Sequence, residues 1–325
     1  MIARQGNEGF KQMNRWGAEK TPFLAIISYD KQNILLEKLD AISPEICQYA
    51  FPDRSNALKQ SSCNAPKLDV FDIDAESYKK SFDKVMSHIN NGDTYLCNLS
   101  CEVKLKNQLD LPSVFNASFS KYKLRYKDEF VCFSPEIFIR IKGNEISTYP
   151  MKGTIDARIL NAEERLLNDK KELAEHYTIT DLLRNDLSRL SDSVRVKRFR
   201  YIDRIKTSSG ELLQTSSEII GTLNENWHCS IGDMLNKILP AGSITGAPKQ
   251  RTCEIIDEAE THKRGFYTGV CVLFDGENVD SFVMIRMIVR KNKNFYYKSG
   301  GGVTSFSQWE KELNEIKQKV YVPIS

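Results

Sequence analysis

Lys152 is the residue whose setting most suggests chemistry. It lies in residues 149–154, YPMKGT, between a proline-led turn and a glycine, and a β-like run over 145–149 leads into it. If its amine faces a dry pocket, the pKa of the amine falls and the neutral group becomes a nucleophile. A surface lysine beside a turn is the simpler interpretation of this stretch alone, so the choice depends on the rest of the chain.

Two pairs of glutamates have a spacing that suits metal ligands on helices. Glu172 and Glu175 are three residues apart, as are Glu312 and Glu315, and this spacing places each pair on one helix face. Carboxylates from two facing helices could bind a hard cation such as Mg²⁺, which leaves further positions to water and substrate. Lys319 falls on the same face as the second pair. A solvated helix face with ion pairs is the alternative for either pair alone.

Two glycine-rich stretches could approach an anionic ligand. Residues 242–249, GSITGAPK, precede a predicted helix, so their backbone N–H groups and the helix N-terminus favour negative charge. Gly300–Gly302 follows a strand and precedes the last helix, and residues without side chains suit close approach of the backbone to a ligand. A structural turn and a flexible connection are the respective alternatives.

Other charged positions could act beside these motifs. Arg286 ends an apolar strand, where a buried guanidinium would need an anionic partner such as a carboxylate. Glu136 lies among apolar residues, a setting that raises the pKa of a carboxyl and suits a general acid. A structural salt bridge is the alternative for each. The polar run 181–189, which includes Asp186, could orient the neighbouring glutamates or only cap a helix.

Composition narrows the class of protein. The chain has 325 residues, 41% of them hydrophobic, which is ample for a large core. With 46 basic and 43 acidic residues, the net charge of +3 indicates no preference for nucleic acid or an anionic membrane. Eight cysteines without a Cys-x-x-Cys pair, and only four histidines, argue against a zinc site. The most apolar run, 23–27, is too short to span a bilayer, and the N-terminus lacks a signal-peptide core, so we expect a cytoplasmic protein.

The order of predicted elements favours an α+β fold, because it lacks the regular strand–helix alternation of a doubly wound sheet. Residues 40–70 are rich in Pro, Asn and Ser, which predicts a loop. Strands are predicted at 21–29, 95–103, 130–141, 145–149, 201–206, 212–223, 269–274, 279–289 and 294–298. Helices are predicted at 75–91, 112–122, 162–190, 230–239, 250–259 and 308–320.

Taken in order, these motifs resemble the chorismate-utilising enzymes, a family that includes anthranilate synthase component I, aminodeoxychorismate synthase component I, isochorismate synthase and salicylate synthase. The resemblance implies two stacked, mostly antiparallel sheets flanked by helices around a deep pocket. It also implies a catalytic domain over 75–325, with residues 1–74 contributing strands to the same unit. The resemblance rests on residues 134–136, 150–154, 181–186, 242–249, 267–269, 280–286, 300–302 and 312–319.

Lys152 determines which family member the chain resembles most. Aminodeoxychorismate synthases have Pro-Ile-Lys-Gly-Thr here, whereas anthranilate synthases and the isochorismate-forming members typically have Ala in place of the lysine. The implied reaction converts chorismate and ammonia to 4-amino-4-deoxychorismate, a step of p-aminobenzoate and folate biosynthesis. In this reaction, protonated Glu136 delivers a proton to the departing C4 hydroxyl and neutral Lys152 adds at C2. Ammonia then adds at C4 and expels the lysine.

The resemblance also implies binding roles. Mg²⁺ is the implied cofactor, held by Glu175 and Glu315 with Glu172 and Glu312 assisting. Ammonia is expected from a separate glutamine amidotransferase subunit or from solution, because the sequence has no glutaminase signature. The implied contacts to chorismate are Arg286 and Tyr267 on the enolpyruvyl carboxylate, anion recognition by Ser243, Thr245 and the amides of Gly300 and Gly302, and positive charge from Lys319.

Three positions depart from the family pattern. Leu96 stands where amine-adding members usually have Gln, Gln214 replaces an expected His, and Phe306 begins a pair that replaces the usual Asp-Ser. The segment before residue 75 is shorter than in longer relatives, so we expect a regulatory tryptophan site to be missing or incomplete. Three alternatives remain: anthranilate synthase component I, a catalytically weakened chorismate-binding protein, and a Mg²⁺-dependent scaffold that only activates an amidotransferase.

Overall fold

The structure, a computed structural model, describes residues 1–57, 66–71, 73–207 and 210–323. In these ranges the strands are β1 (Ile2–Gln5), β2 (Phe23–Ile27), β3 (Asn33–Lys38), β4 (Cys47–Phe51), β5 (Arg54–Ser55), β6 (Leu96–Lys104), β7 (Tyr122–Tyr126), β8 (Phe130–Ser134), β9 (Ile137–Lys142), β10 (Glu145–Thr148), β11 (Met151–Asp156), β12 (Arg195–Thr207), β13 (Gly210–Thr222), β14 (Gly246–Ala247), β15 (Val270–Phe274), β16 (Val279–Val283), β17 (Met287–Lys291) and β18 (Asn294–Val303). The helices are α1 (Gly6–Ala18), α2 (Ala75–Asn90), α3 (Leu111–Ala117), α4 (Ala162–Asn168), α5 (Lys170–Ser188), α6 (Ile231–Ile238), α7 (Lys249–Ala259) and α8 (Trp309–Gln318).

The strands form two sheets in which every described pair is antiparallel. The first sheet has the order β1-β3-β2-β15-β16-β9-β10-β13-β11, with β12 also paired to β13. The second has the order β14-β6-β18-β17-β8-β7-β4-β5. The predicted α+β fold with two mostly antiparallel sheets is therefore confirmed.

The N-terminal segment takes part in both sheets. β1 to β3 belong to the first sheet, and β4 and β5 belong to the second. The predicted loop over 40–70 is therefore wrong where β4 pairs with β7, and Cys47, Tyr49 and Phe51 alternate into the core. Residues 58–65 of that prediction lie outside the described residues. Helix α1 was not predicted, although its apolar residues recur at helical spacing and pack on β3.

One apolar layer fills the space between the two sheets. It is built from side chains of β2, β4, β7, β15 and β16, among which Tyr122 and Phe282 stack with ring centroids 5.0 Å apart. The opposite face of β2, with Phe23 and Ile27, packs against helices. Both faces of β2 are therefore covered, which explains its unbroken run of apolar residues. No helix in the described part of the chain has the length and apolar character needed to cross a bilayer.

The predicted helix over 162–190 breaks into α4 and α5. Asp169 between them has extended backbone, and its side chain accepts a hydrogen bond of 3.0 Å from the N–H of Glu172. An aspartate in this role is a strong helix N-cap, so α5 begins anew at Lys170. The break matters for the site because α5 carries Glu172 and Glu175 in its first two turns.

Two predicted strands each prove to be two strands that lie in different sheets. Residues 130–141 form β8 in the second sheet and β9 in the first, and residues 279–289 form β16 in the first and β17 in the second. The chain crosses between the sheets at Glu136 in one case and at Arg286 in the other. The crossings coincide with Pro135–Glu136 and with Arg286, but the residues on both sides are mostly apolar and buried, so the pattern predicted one strand in each case.

Candidate active site

The two crossings lie side by side and open a pocket between the sheets. The N–H of Phe133 donates to the carbonyl of Arg286 at 3.2 Å, and the N–H of Val283 donates to the carbonyl of Glu136 at 3.1 Å. Arg286 has a positive φ of 53°, a left-handed backbone conformation that is uncommon for a residue with a side chain. These contacts fix where the Glu136 and Arg286 side chains leave the backbone.

The pocket has a volume of about 250 Å³. Helix α5 closes one side with Ile179 and Leu183, and β18 contributes backbone at Gly300–Gly302. Polar and charged side chains converge on the remaining walls, namely Asn98, Glu136, Tyr149, Lys152, Gln214, Ser243, Tyr267, Arg286, Glu315 and Lys319. Most of the predicted catalytic and substrate-binding residues therefore share one small polar cavity.

One end of the pocket, which we call the acid end, consists of Glu136 and Ser243. The Ser243 hydroxyl donates to Oε1 of Glu136 in a short hydrogen bond, and the N–H of Glu136 donates to the hydroxyl of Ser134 at 3.1 Å. Burial raises the pKa of Glu136, although Ser243 and the positive charges of Lys152, Arg286 and Lys319 act to lower it. A carboxyl that stays protonated above its usual range has the property expected of a general acid.

The other end, the lysine end, consists of the lining residues Lys152, Glu315 and Lys319 together with Glu175, which pairs with Lys152 from α5. The amine of Lys152 lies 3.5 Å from Oε2 of Glu175, and its side chain is 27% exposed. A bulge between Lys152 and Thr154 interrupts the pairing of β11 with β13. Such bulges redirect side chains, and this one turns the Lys152 amine towards the pocket.

Gly153 makes that bulge possible. It has a φ of +73°, and a Cβ at this position would lie 3.0 Å from Leu166 and 3.1 Å from Oε2 of Glu172. A side chain here would therefore be strained by the backbone conformation and would press on α4 and α5. The glycine after Lys152 is explained by this crowding.

Of the four predicted metal ligands, Glu175 and Glu315 belong to the lysine end, while Glu172 and Glu312 lie beside Gly153 and Gly301. Lys319 donates to Oε1 of Glu315 at 2.7 Å and to the carbonyl of Gly300 at 3.1 Å. A Cβ on Gly301 would lie 3.4 Å from Oε2 of Glu312 and 4.0 Å from Oε1 of Glu315. Within the described residues, no three His, Cys, Asp or Glu side chains are close enough together to hold a metal ion. The metal site therefore stays a prediction.

The glycine run lies within a strand, which corrects the expectation that it follows one. Gly300 pairs with Ser100 and Gly302 pairs with Asn98 across β18 and β6. A Cβ on Gly302 would lie 3.7 Å from the Lys152 amine and 3.2 Å from Leu96. The absent side chain leaves the Lys152 amine accessible from the pocket.

The chain matches the family model described as chorismate binding enzyme over residues 17–325. The chain belongs to the chorismate binding enzymes. It is 44% identical over 314 residues to an uncharacterized PabA-like protein of Haemophilus influenzae, and the match covers 97% of this chain and 96% of that protein.

Relatives with named activities are less similar and longer. Identity is 34% over 264 residues with anthranilate synthase component 1 1 of Haloarcula marismortui, covering 76% of this chain and 53% of that protein. It is 33% over 261 residues with aminodeoxychorismate synthase component 1 of Escherichia coli, covering 75% and 56%. The solved structure of MenF, the menaquinone-specific isochorismate synthase of Escherichia coli, matches with a TM-score of 0.77 at 15% identity, covering 98% of this chain and 82% of that one. These matches place the chain in the family and fix its fold.

Two predicted substrate contacts have other partners in the structure. Thr245 is fully buried outside the pocket lining, and its hydroxyl donates to the carbonyls of Ala241 and Gly242 within its own loop. Ser243 does line the pocket, but its hydroxyl contacts Glu136. Tyr267 and Arg286 lie in the lining as expected, with Tyr267 only 3% exposed.

The three departures from the family pattern lie in different settings. Leu96 is buried beside Gly302, and Phe306 is 81% exposed. Gln214 lines the pocket and donates to the hydroxyl of Thr154 at 3.2 Å.

One lining residue, Asn98, and one ion pair, Asp186–Lys249, were not predicted from the sequence. Asn98 lines the pocket from β6, and its only signal was a polar residue within an alternating strand. Asp186 does not orient the neighbouring glutamates, because its carboxylate pairs with Lys249 at 2.5 Å.

Proposed function

We propose that this chain is an aminodeoxychorismate synthase component I, which converts chorismate and ammonia to 4-amino-4-deoxychorismate. The proposal rests on the position of the Lys152 amine in the pocket of a chorismate binding enzyme. The amine lies beside Glu175, and the absence of a side chain at Gly302 leaves it accessible from the pocket. No other function assigned to family members in the resemblance needs an amine at that position. The reaction does need one, because Lys152 is its covalent nucleophile.

The first step forms a bond between Nζ of Lys152 and C2 of chorismate. The ring double bonds shift, the C4–O bond breaks, and the proton of Glu136 leaves with the hydroxyl as water. Lys152 is paired with Glu175 in the structure, so substrate binding must break this pair, and the amine must release one proton to solvent water before it attacks. In the second step, ammonia forms a bond to C4 while the C2–N bond breaks, which restores Lys152.

Chorismate carries two carboxylates, and the pocket offers cationic and backbone donors for both. Arg286 and Tyr267, which both line the pocket, would hold the enolpyruvyl carboxylate. Lys319 and the amides of Gly300 and Gly302 supply donors at the opposite wall. Ser243 acts in this proposal on Glu136 and not on the substrate.

The donor chemistry at the lysine end fits Mg²⁺, because this ion binds through one or two carboxylates and keeps its other positions for water and substrate. Glu175 and Glu315 would hold it, one from each helix, with Glu172 and Glu312 beside them. When bound, the ion would neutralise the ring carboxylate and so favour binding of a dianion next to acidic side chains.

Ammonia enters this proposal from a glutamine amidotransferase partner or from solution. The second candidate function is anthranilate synthase component I, which is favoured by the 34% identity to a relative of that name. Lys152 is the residue that argues against it.

Product analysis separates these functions. The purified chain is incubated with chorismate, Mg²⁺ and an ammonium salt, and the products are separated with and without added aminodeoxychorismate lyase. We expect p-aminobenzoate only when the lyase is present. Anthranilate would establish the second candidate, and unchanged chorismate would support the weakened or scaffold alternatives. The assay needs no amidotransferase subunit, because the ammonium salt supplies the ammonia.

A further inference from the structure

The loop that carries Ser243 is closed by one buried carboxylate. Lys249, at the end of the loop, donates to Oδ1 of Asp186 at 2.5 Å and to the carbonyl of Ile238 at 2.8 Å. Gly242, at the start of the loop, packs on the same carboxylate, since a Cβ there would lie 2.9 Å from Oδ2 of Asp186. Asp186 on α5 therefore touches both ends of the loop over 242–249.

The pair is shielded from solvent. The side chains of Asp186 and Lys249 are 9% and 15% exposed. Burial raises the pKa of Asp186 and lowers the pKa of Lys249, while each partner opposes the shift of the other. Removal of one partner alone would leave an unpaired buried charge, which is strongly destabilising, whereas replacement of both by neutral groups is tolerated far better.

Other contacts hold the middle of the loop. The N–H of Asn98 donates to the carbonyl of Thr245 at 2.7 Å, and Nη1 of Arg264 donates to the carbonyl of Ile244 at 2.8 Å. The Thr245 hydroxyl in turn donates to the carbonyls of Ala241 and Gly242 at 3.0 and 3.1 Å, so the middle of the loop is tied to its Gly242 end. Asp186 lies against Gly242 itself, the neighbour of Ser243, and so helps to fix the point where the Ser243 side chain leaves the backbone.

We infer that Asp186 and Lys249 are positioning residues for the acid end of the pocket: they hold the Ser243 hydroxyl on Oε1 of Glu136 and thereby control the proton affinity of that carboxyl. Neither residue is part of the pocket lining. The inference deepens the proposed function in one respect only, since it takes Glu136 as the proton donor of the reaction.

The electrostatic setting of Glu136 comes from several elements. Lys152 on β11, Arg286 after β16 and Lys319 after α8 all act to lower its pKa, as does Ser243 from the loop. Tyr149, Tyr267 and Glu315 are the other titratable groups in the pocket lining. The Asp186–Lys249 pair adds no net charge, so an effect of this pair on Glu136 must come through the placement of Ser243.

The test measures the titration of Glu136 directly and without substrate. The carboxyl carbons of glutamate are labelled with ¹³C, and the NMR signal of Glu136 is assigned by its loss in Glu136→Gln. The pKa of Glu136 is then compared among the wild type, Ser243→Ala, the double variant Asp186→Asn/Lys249→Met, and the triple combination. Lys291→Met is the matched control, because Lys291 forms an ion pair with Glu102 away from the pocket.

Ser243→Ala removes a donor to the carboxylate, so the pKa of Glu136 should rise by about one pH unit. The double variant should raise it by a similar amount, the triple variant should add nothing further, and Lys291→Met should leave it unchanged. A folded double variant with the wild-type titration would overturn the inference, as would effects that add in the triple variant.

A second variant keeps the test decisive if the double variant fails to fold. Gly242→Ala leaves the ion pair in place but presses a methyl group on Oδ2 of Asp186, so it should displace the loop and raise the pKa of Glu136. A folded Gly242→Ala protein with wild-type titration would then reject the inference. The result is independent of the proposed function, because a chain that made anthranilate would refute that function and leave this titration unchanged.

Discussion

The two ends of the pocket are held in different ways. The acid end is set by paired strand crossings, and Ser243 is held on Glu136 by a loop that a buried ion pair closes. The lysine end combines Lys152 of β11 with groups from α5 and α8, and it is more open to solvent, since Lys152 and Glu175 are 27% and 23% exposed and Lys319 and Glu315 are 36% and 53% exposed. One end is therefore rigid before substrate arrives, while the other can exchange partners.

Exposed ion pairs and buried polar contacts differ in energy in a way that agrees with this difference between the lysine end and the acid end. Exposed ion pairs such as Lys319–Glu315 stabilise a protein by only about 0.2–1 kcal/mol. A dianionic substrate and a divalent cation can therefore replace them at small cost. The buried acid end cannot rearrange as cheaply, because unpaired buried polar groups cost about 1–3 kcal/mol each. We therefore expect proton transfer to depend on the acid end, and formation of the C2–N bond to depend on the lysine end.

The largest expected effect is at the lysine end. Lys152→Ala should reduce C4 amination on the order of 10³-fold or more, because it removes the nucleophile of the first step. Lys152→Arg should lose activity as well, since a guanidinium keeps the charge but cannot supply a neutral amine. Initial rates of 4-amino-4-deoxychorismate formation at saturating ammonium measure both.

A control variant and a mass measurement check this prediction. Lys317→Ala alters an exposed lysine of α8 near the pocket and should retain the wild-type rate. Mass spectrometry of the quenched wild-type enzyme should detect a chorismate-derived adduct that is absent from Lys152→Ala. Amination by Lys152→Ala at the wild-type rate would remove the covalent role.

The acid end gives the next effect. Glu136→Gln keeps the shape of the side chain but cannot protonate the leaving hydroxyl, so kcat should fall by about 10²-fold. Because the pKa of Glu136 is raised, wild-type kcat/KM should stay high above the usual carboxyl range and then fall as the pH rises through that pKa. The variant should lack this alkaline decline.

Glu129→Gln is the matched control for that experiment, since Glu129 is an exposed residue of the turn before β8. Its pH profile should be that of the wild type. An alkaline decline that persists in Glu136→Gln would assign the decline to another group and contradict the role of Glu136 as acid.

The sequence carried more local information about the lysine end than about the acid end. Glu172 with Glu175, and Glu312 with Glu315, lie on helices where the spacing of residues alone fixes the shared face. Gly153 directly follows Lys152 in sequence, so the setting of Lys152 could also be judged from neighbouring residues. None of these required knowledge of which distant strands pair.

The acid end depends on contacts that are far apart in sequence. Glu136 and Arg286 become neighbours only because β8 pairs with β17 and β9 pairs with β16. The crossings lie at Pro135–Glu136 and at Arg286, where the flanking residues on both sides are mostly apolar, so periodicity alone did not separate one strand from the next. The Asp186–Lys249 pair also joins residues that are far apart in sequence, so it was not predicted. Near a helix end, a polar residue such as Asp186 has many local explanations.

A smaller effect tests whether the glutamates of the lysine end bind the cation. Glu175→Gln and Glu315→Gln should each raise the Mg²⁺ concentration for half-maximal activity by about 10-fold or more, since each removes a charged oxygen ligand. Calorimetric titration with Mg²⁺ and chorismate measures the same change without turnover. Glu310→Gln, an exposed change in the first turn of α8, is the control and should bind as the wild type does. Unchanged Mg²⁺ binding in both variants would contradict the predicted metal site.

The smallest expected effect is on stability, and it tests the burial of Glu136 at the acid end. Burial raises the pKa of Glu136 above its ordinary value of 4.5, so folded protein binds its proton more tightly than unfolded protein does. The contribution of Glu136 to stability is therefore complete below pH 4.5 and is lost as the pH rises through the folded pKa. Glu136→Gln removes this dependence, so its melting temperature should gain on the wild type as the pH rises. Each pH unit by which the pKa is raised corresponds to about 1.4 kcal/mol, or roughly 2 °C. A difference in melting temperature that stays constant from acid to neutral pH would show that Glu136 titrates like an exposed carboxyl, and the contrast between the two ends would then fail.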